Sequence, residues 1–272
     1  MTTMNKAQDN LKELVRSKYS EIAEKSTAGM DAGCCGPSAS DCCDPVGNSI
    51  SMAESYTDLV GYQPEADLKL GCGIPVEFAG LEPGQAVLDL GSGAGNDLFV
   101  ARSIVGDSGR LTGLDFSDAM NEKARLNAAK MDFKNMEFVT GDIEAMPLAS
   151  DQFDVVLSNC VLNLVPDKQK AFSEINRVLK PGGHFSISDI VVEGQVPESV
   201  QKAAEAYVGC VSGAIQKADY IDLVTKTGFR DVEIRKEREI TIPQEWLEKE
   251  GAHSIPREPL RVLSITVTGT NP

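Results

Sequence analysis

Two periodicities divide the chain. Over residues 5–25 the apolar positions Leu11, Leu14, Val15, Tyr19 and Ile22 recur at helical spacing and predict one amphipathic helix. From Ala86 onward, short β-branched runs alternate with helical stretches. Strands are predicted at Ala86–Leu90, Arg110–Asp115, Met136–Thr140, Phe153–Asn159 and His184–Asp189, and helices at Asp97–Val105, Ser117–Met131 and Lys168–Leu179. Parallel strands need long crossovers, so this alternation predicts a parallel sheet covered by helices on both faces. Helical patterns near Glu198–Val211 and Ala218–Lys226 then precede strand-like runs at Arg230–Arg238 and Leu260–Thr268. The last run (Val262, Ile265, Val267) is expected to close the sheet edge antiparallel. The predicted fold class is therefore α/β: a doubly wound, mostly parallel seven-stranded sheet with an antiparallel edge strand.

Between the first helix and the sheet, Ala28–Ser51 is rich in Gly, Ser, Ala, Pro and Cys, lacks periodicity and reads as a loop. The 272 residues thus divide into a helical, Cys-rich N-terminal segment (1–65), a ligand-binding core (66–195), and substrate-side helices with closing strands of the same sheet (196–272).

Composition narrows the function classes. Apolar residues make up 42% and charged residues 25%, as in an ordinary folded protein. With 41 acidic and 26 basic side chains the formal charge is -15, which repels phosphate backbones and anionic headgroups; neither nucleic acid nor membrane is an expected partner. The opening residues MTTMNKAQDN hold no apolar signal, and no apolar run reaches the roughly 18 residues of a spanning helix, so a cytoplasmic protein is expected. Two histidines leave little room for a His-based triad or a His-rich metal site. Seven cysteines, an odd number without a secretion signal, argue against a disulfide scaffold and for working thiols or a soft metal or metalloid.

The stretch Asp89-Leu90-Gly91-Ser92-Gly93-Ala94-Gly95 follows the first core strand and opens a helix. Glycines there permit a sharp turn and let a ligand lie against the main chain, as in NAD, FAD and S-adenosylmethionine sites alike. Asp115 ends the second strand, where a carboxylate can accept hydrogen bonds from both ribose hydroxyls or equally serve as a cap. Asn96, just past the glycines, either contacts a ligand or begins the helix. Gly141-Asp142-Ile143-Glu144 follows the third strand and places an acid where an adenine amino group would lie.

In that order, together with Phe153–Asn159 and Leu179-Lys180-Pro181-Gly182-Gly183, these segments resemble the class I S-adenosylmethionine-dependent methyltransferases over roughly Gly80 to Ile190. The resemblance implies that Asp89, Gly91 and Gly93 hold the methionine part of the cofactor, Asp115 the ribose and Asp142 the adenine. It also implies that Phe116 and Ile143 flank the adenine ring, and that Asn159 lines the methyl donor.

Cys160 directly follows the fourth strand, where ligands of open α/β sheets bind. Cys72 lies between Gly71 and Gly73, which give the backbone freedom and leave the sulfur uncovered. Cys210 lies in the segment after the fifth strand. Each is alternatively a small core hydrophobe. Three converging thiols would select a soft, thiophilic centre. With Val15-Arg16, Tyr19, Ile22-Ala23, the Cys-Cys pairs, Leu70-Gly71-Cys72-Gly73, Ser158-Asn159-Cys160 and Tyr207-Val208-Gly209-Cys210 in order, the chain resembles the arsenite methyltransferases. That resemblance implies methylation of trivalent arsenicals, arsenic(III) held by Cys72, Cys160 and Cys210, and electrons from thioredoxin or small thiols. Longer members of that family carry a further C-terminal domain.

The pairs Cys34-Cys35 and Cys42-Cys43 admit zinc binding, a disulfide, arsenite capture or an electron relay to Cys72, for which Cys43 is the nominated residue. His184 is expected to be structural, and Trp246 to pack a tail helix on the core. Two rival functions remain: methylation of a small organic acceptor with structural cysteines, and non-catalytic sequestration of a metalloid or zinc.

Overall fold

A computed structural model describes residues 3–28, 52–196, 213–242 and 260–272. The Cys-rich stretch after Ala28, the helical pattern near Glu198–Val211, Cys210, Trp246 and His253 lie outside the described residues.

Seven strands make one sheet: β1 (Ala86–Leu90), β2 (Arg110–Asp115), β3 (Met136–Thr140), β4 (Phe153–Asn159), β5 (Leu179–Glu193), β6 (Arg230–Ile240) and β7 (Arg261–Thr270), in the order β3-β2-β1-β4-β5-β7-β6. The strands β1 to β5 run parallel, and β7 is antiparallel to both its neighbours. The expected mostly parallel sheet with an antiparallel edge is thus present. Its antiparallel strand β7 lies one place in, with β6 outermost. Strand β5 continues past Asp189 because β7 extends the ladder from Ile190↔Ser264 to Glu193↔Arg261. On β6, charged and largely exposed positions suit an edge that must not recruit another strand.

Every residue of β1 is buried, as expected of a parallel strand covered on both faces. Alternation sorts the side chains. Val87, Val155 and Leu157 pack under α2 (Asn96–Val105) and α3 (Asp118–Lys130), while Leu88, Leu90 and Val156 pack under α4 (Lys168–Val178) and α5 (Lys217–Lys226). On the second face Phe172, Phe185, Tyr220 and Phe229 meet edge to face. Helix starts follow local chemistry: Ser117 accepts from the Met120 amide, and Asp167 from the Lys170 amide.

The N-terminal helix α1 (Thr3–Ala28) packs on α3, with Ser20 Oγ 2.9 Å from Ser117 Oγ. Its buried stripe runs through Val15 and Ala23, with Tyr19 and Ile22 half-buried. Leu14, expected on that face, is 55% exposed, because one step from Val15 turns it about 100° away. His184 is structural: its Nε2 donates to the Ala79 carbonyl at 2.6 Å. Among the described residues, no helix is long and apolar enough to cross a membrane.

Candidate active site

A cleft of about 1170 Å³, part of it open to solvent, lies beyond the C-terminal ends of β1, β2 and β4. Open α/β sheets bind ligands at this place. Its floor is the turn from β1 into α2. Gly91, Gly93 and Gly95 have φ of 62°, 52° and 95°, the left-handed region that glycine enters without cost. The Gly91 and Ser92 amides donate to the Leu114 carbonyl at 2.7 and 3.2 Å, tying the turn to β2. A Cβ on Gly91 would lie 2.3 Å from Val161 Cγ2. One on Gly93 would stand in open space, with only the Gly91 carbonyl as near as 4.0 Å.

Three carboxyl groups crowd this turn. Asp115 accepts from the Gly93 amide at 3.0 Å and the Ser117 amide at 2.9 Å, and burial still lifts it to about 6. Asp97, in the first turn of α2, accepts from Tyr56 Oη at 2.7 Å and Asn159 Nδ2 at 3.2 Å. Burial likewise lifts it to about 6, against those hydrogen bonds. Asp89 lies behind them, off the cleft wall; burial, then the charges of Asp97 and Asp115, push it well above the carboxylate range. Asn96 Oδ1 is buried on the cleft wall without a hydrogen-bond donor. A ligand carrying positive charge and N–H donors would relieve both the repulsion and the orphaned oxygen.

At the other end Phe116, Asp142 and Ile143 line the cleft, as do Lys12, Val15 and Tyr19 of α1. Lys12 Nζ donates to Asp142 Oδ2 at 2.6 Å and also pairs with Glu144. Burial works to raise Asp142, but the Lys12 contact and the Glu144 amide outweigh it and hold the carboxyl below its ordinary range. The Arg16 guanidinium sits 5.6 Å from the centre of the Phe116 ring.

The thiols lie beyond β4. Cys160 has φ of 61°, a left-handed conformation that costs a non-glycine residue on the order of 1 kcal/mol, and its amide donates to the Ser188 carbonyl at 2.8 Å. Its side chain lines the cleft. Cys72 packs with it in one apolar cluster with Ile190, Val192, Ile240 and Val262. Neither is in a disulfide. Cys43 and Cys210 lie outside the described residues.

Contrary to the expectation of an uncovered, mobile sulfur, Cys72 is fully buried and its backbone is pinned. Its amide donates to Asn159 Oδ1 at 2.9 Å, and its carbonyl accepts from Ser264 Oγ at 2.6 Å and Arg238 Nη2 at 3.1 Å. The flanking glycines provide closeness rather than freedom. A Cβ on Gly71 would lie 2.6 Å from Asn159 Nδ2, and one on Gly73 2.6 Å from Ser188 Oγ. Asn159 is on the cleft wall, but its amide serves the Cys72 loop, donating to Tyr56 Oη at 2.8 Å and the Gly73 carbonyl at 2.9 Å.

Sequence reasoning missed Tyr56, Asp97, Arg238, Ser264 and Lys12. Asp97 was within reach, since an acid in the first turn after a glycine loop sits at the positive end of a helix. Tyr56 lies in a stretch without periodicity and carried no signal.

Known proteins fit this geometry. Residues 81–237 match a family described as methyltransferase domain. An arsenite methyltransferase of Halobacterium salinarum is 41% identical over 242 residues, covering 86% of this chain and 61% of that one. Another, of Aquipseudomonas alcaligenes, is 30% identical over 239 residues, covering 85% and 65%. This chain therefore spans less than two-thirds of the length of either relative. The solved structure of an arsenic(III) S-adenosylmethionine methyltransferase from Chlamydomonas reinhardtii is similar, with TM-score 0.62 and 37% identity over 73% of this chain and 66% of that one. With the family pattern running from before β1 to β6, and its strands building the glycine-floored cleft, the chain belongs to the methyltransferase domain family.

Proposed function

We propose that the chain moves a methyl group from S-adenosylmethionine to trivalent arsenic (arsenite and methylarsenite) held by cysteine thiolates, with thiol-dependent reduction between cycles. The observation that carries this reading is the pairing of Cys160, on the cleft wall, with Cys72 in one buried apolar cluster. Such a pair suits a soft centre and not an oxygen or nitrogen acceptor. The naming of two relatives as arsenite methyltransferases supports it.

The residues present fit the cofactor. Asp97, Asp115 and the orphaned Asn96 Oδ1 suit a ligand bearing a sulfonium, an ammonium and hydroxyl donors, and the space beside Gly93 suits close approach to the main chain. In this reading Gly91, Gly93 and Asn96 hold the methionine part, with Asp89 setting the charge behind them. Asp115 holds the ribose, and Phe116, Asp142 and Ile143 hold the adenine. When bound, S-adenosylmethionine supplies an electrophilic methyl group.

The chain's part is to hold the acceptor. Each thiol displaces one hydroxide or small-thiol ligand from arsenic, and the departing ligand takes the thiol proton. Arsenic bound to sulfur keeps its lone pair, so attack needs no general base, consistent with a cleft that no histidine among the described residues lines. Fixing that lone pair toward the donor contributes up to about 7–11 kcal/mol in the best intramolecular cases. Methylation leaves arsenic two electrons poorer. Two thiols return them, forming a disulfide and releasing two protons, and thioredoxin or small thiols reduce that disulfide. Cys210 is proposed as the third thiolate and Cys43 as the relay.

The test is mass spectrometry of arsenic species after incubating reduced protein with arsenite, S-adenosylmethionine and a thiol. Methylated arsenicals are expected from the wild type, with losses on the order of 100-fold in Cys72→Ser and Cys160→Ser, where a hard oxygen replaces the soft ligand. Methylation surviving both substitutions would remove the thiol site. No methylated product would overturn the reading: retained arsenic would point to sequestration, and neither product nor binding to an organic acceptor.

A further inference from the structure

We infer that Arg238 of β6 is a positioning residue for the thiol site, holding Cys72 and the segment Met52–Glu54 in place beside Cys160 so that the two thiols meet one arsenic atom. This rests on the arsenic reading above. Arg238 Nη2 donates to the Cys72 carbonyl at 3.1 Å and to the Met52 carbonyl at 2.6 Å. Its Nε, itself buried, faces Glu54 Oε1 at 3.6 Å. Lys236, two positions earlier on the same side of β6, pairs with Glu54 as well. Ala53 and Glu54 line the cleft, so one guanidinium joins the wall of the cleft to the backbone of the buried thiol.

The contact suits arginine. Nη2 alone serves both carbonyls while Nε faces the Glu54 carboxylate, a span that a planar guanidinium covers and the point charge of an ammonium does not. Ser264 Oγ reinforces the same carbonyl from β7, and Asn159 takes the amide from β4. Two sulfurs that share one small atom must keep a fixed separation, and supporting contacts of this kind set the affinity of such a centre. On an edge strand of mostly exposed charges, Lys236 and Arg238 both turn toward Glu54, and Arg238 goes on to the Cys72 carbonyl.

The test uses the full chain with Arg238→Met, Arg238→Lys and Ser264→Ala. Equilibrium dialysis measures arsenite bound by the reduced protein, beside S-adenosylmethionine affinity and the thermal midpoint. The arsenite dissociation constant is expected to rise about tenfold or more in Arg238→Met and by less in Arg238→Lys, with cofactor affinity unchanged. Unchanged arsenite affinity in a folded Arg238→Met protein would overturn the proposal, as would equal loss of both ligands. If that variant does not fold, Ser264→Ala decides: selective loss of arsenite affinity supports the positioning role, and wild-type affinity overturns it. A wild type that binds no arsenite would overturn the functional reading itself, and this inference with it.

Discussion

Gly91 and Gly93 share a residue type and a left-handed backbone, yet they answer to different neighbours. At Gly91 a methyl group would strike Val161, whose backbone follows Cys160, so the substitution adds a clash to the strain. Gly91→Ala is expected to cost on the order of 3 kcal/mol by urea denaturation. At Gly93 the methyl meets nothing, and the stability cost is expected to stay near ~1 kcal/mol while S-adenosylmethionine affinity falls at least tenfold by calorimetry. Equal stability losses in the two variants would refute this division. The same contrast governs the loop around Cys72. Flanking glycines announce either freedom or crowding, and only the positions of Asn159 and Ser188 show that here they accommodate crowding.

Among the elements, α1 packs on α3 and brings Lys12, Val15 and Tyr19 to the cleft. Lys12 joins it to Asp142 and Glu144, and Ser20 to the start of α3. Asp142 is thus held by α1 at the position proposed for the adenine. Lys12→Met is expected to change global stability by under about 1 kcal/mol, since the pair is partly exposed. It is also expected to speed amide hydrogen exchange within α1 and the release of S-adenosylmethionine. Unaltered exchange in α1 would remove Lys12 as its latch. The strand boundaries were legible because turn chemistry and short β-branched runs are local; β1 to β4 begin and end where the pattern placed them. The end of β5 was not, because its last residues pair with β7, a strand remote in sequence.

For the whole molecule, buried acids give a pH dependence of definite sign. Asp97 and Asp115 titrate near 6 in the fold and Asp189 near 7, each raised first of all by burial from an ordinary 3.8. A raised carboxyl favours the folded state when protonated, so its contribution is complete below about 3.8 and is lost as pH rises through 6 to 7. Over that whole range each is worth on the order of 3–4 kcal/mol. Carboxyls held low, such as Asp142, Asp154 and Glu174, act the other way only as pH falls below about 4. The melting temperature of the ligand-free protein is therefore expected to fall between pH 5 and pH 8. Saturating S-adenosylmethionine should flatten the part due to Asp97 and Asp115 and release protons near pH 6. A melting temperature that climbs from pH 5 to pH 8 would contradict these assignments.

Periodicity, glycine turns and acids at strand ends act over a few residues, and so the sheet, its helices and the glycine turn were legible along the chain. Asp115, Asn96, Phe116, Asp142 and Ile143 stand on the cleft wall. Which thiols join one apolar cluster, and what holds their backbone, depends on long-range packing. The Cys72 backbone is held where Asn159 of β4, Arg238 of β6 and Ser264 of β7 close on one short loop. Those contacts depend on strand order and on β7 entering between β5 and β6. No local pattern encodes that order. It arises from burying both faces of the sheet at once, which is a property of the assembled core.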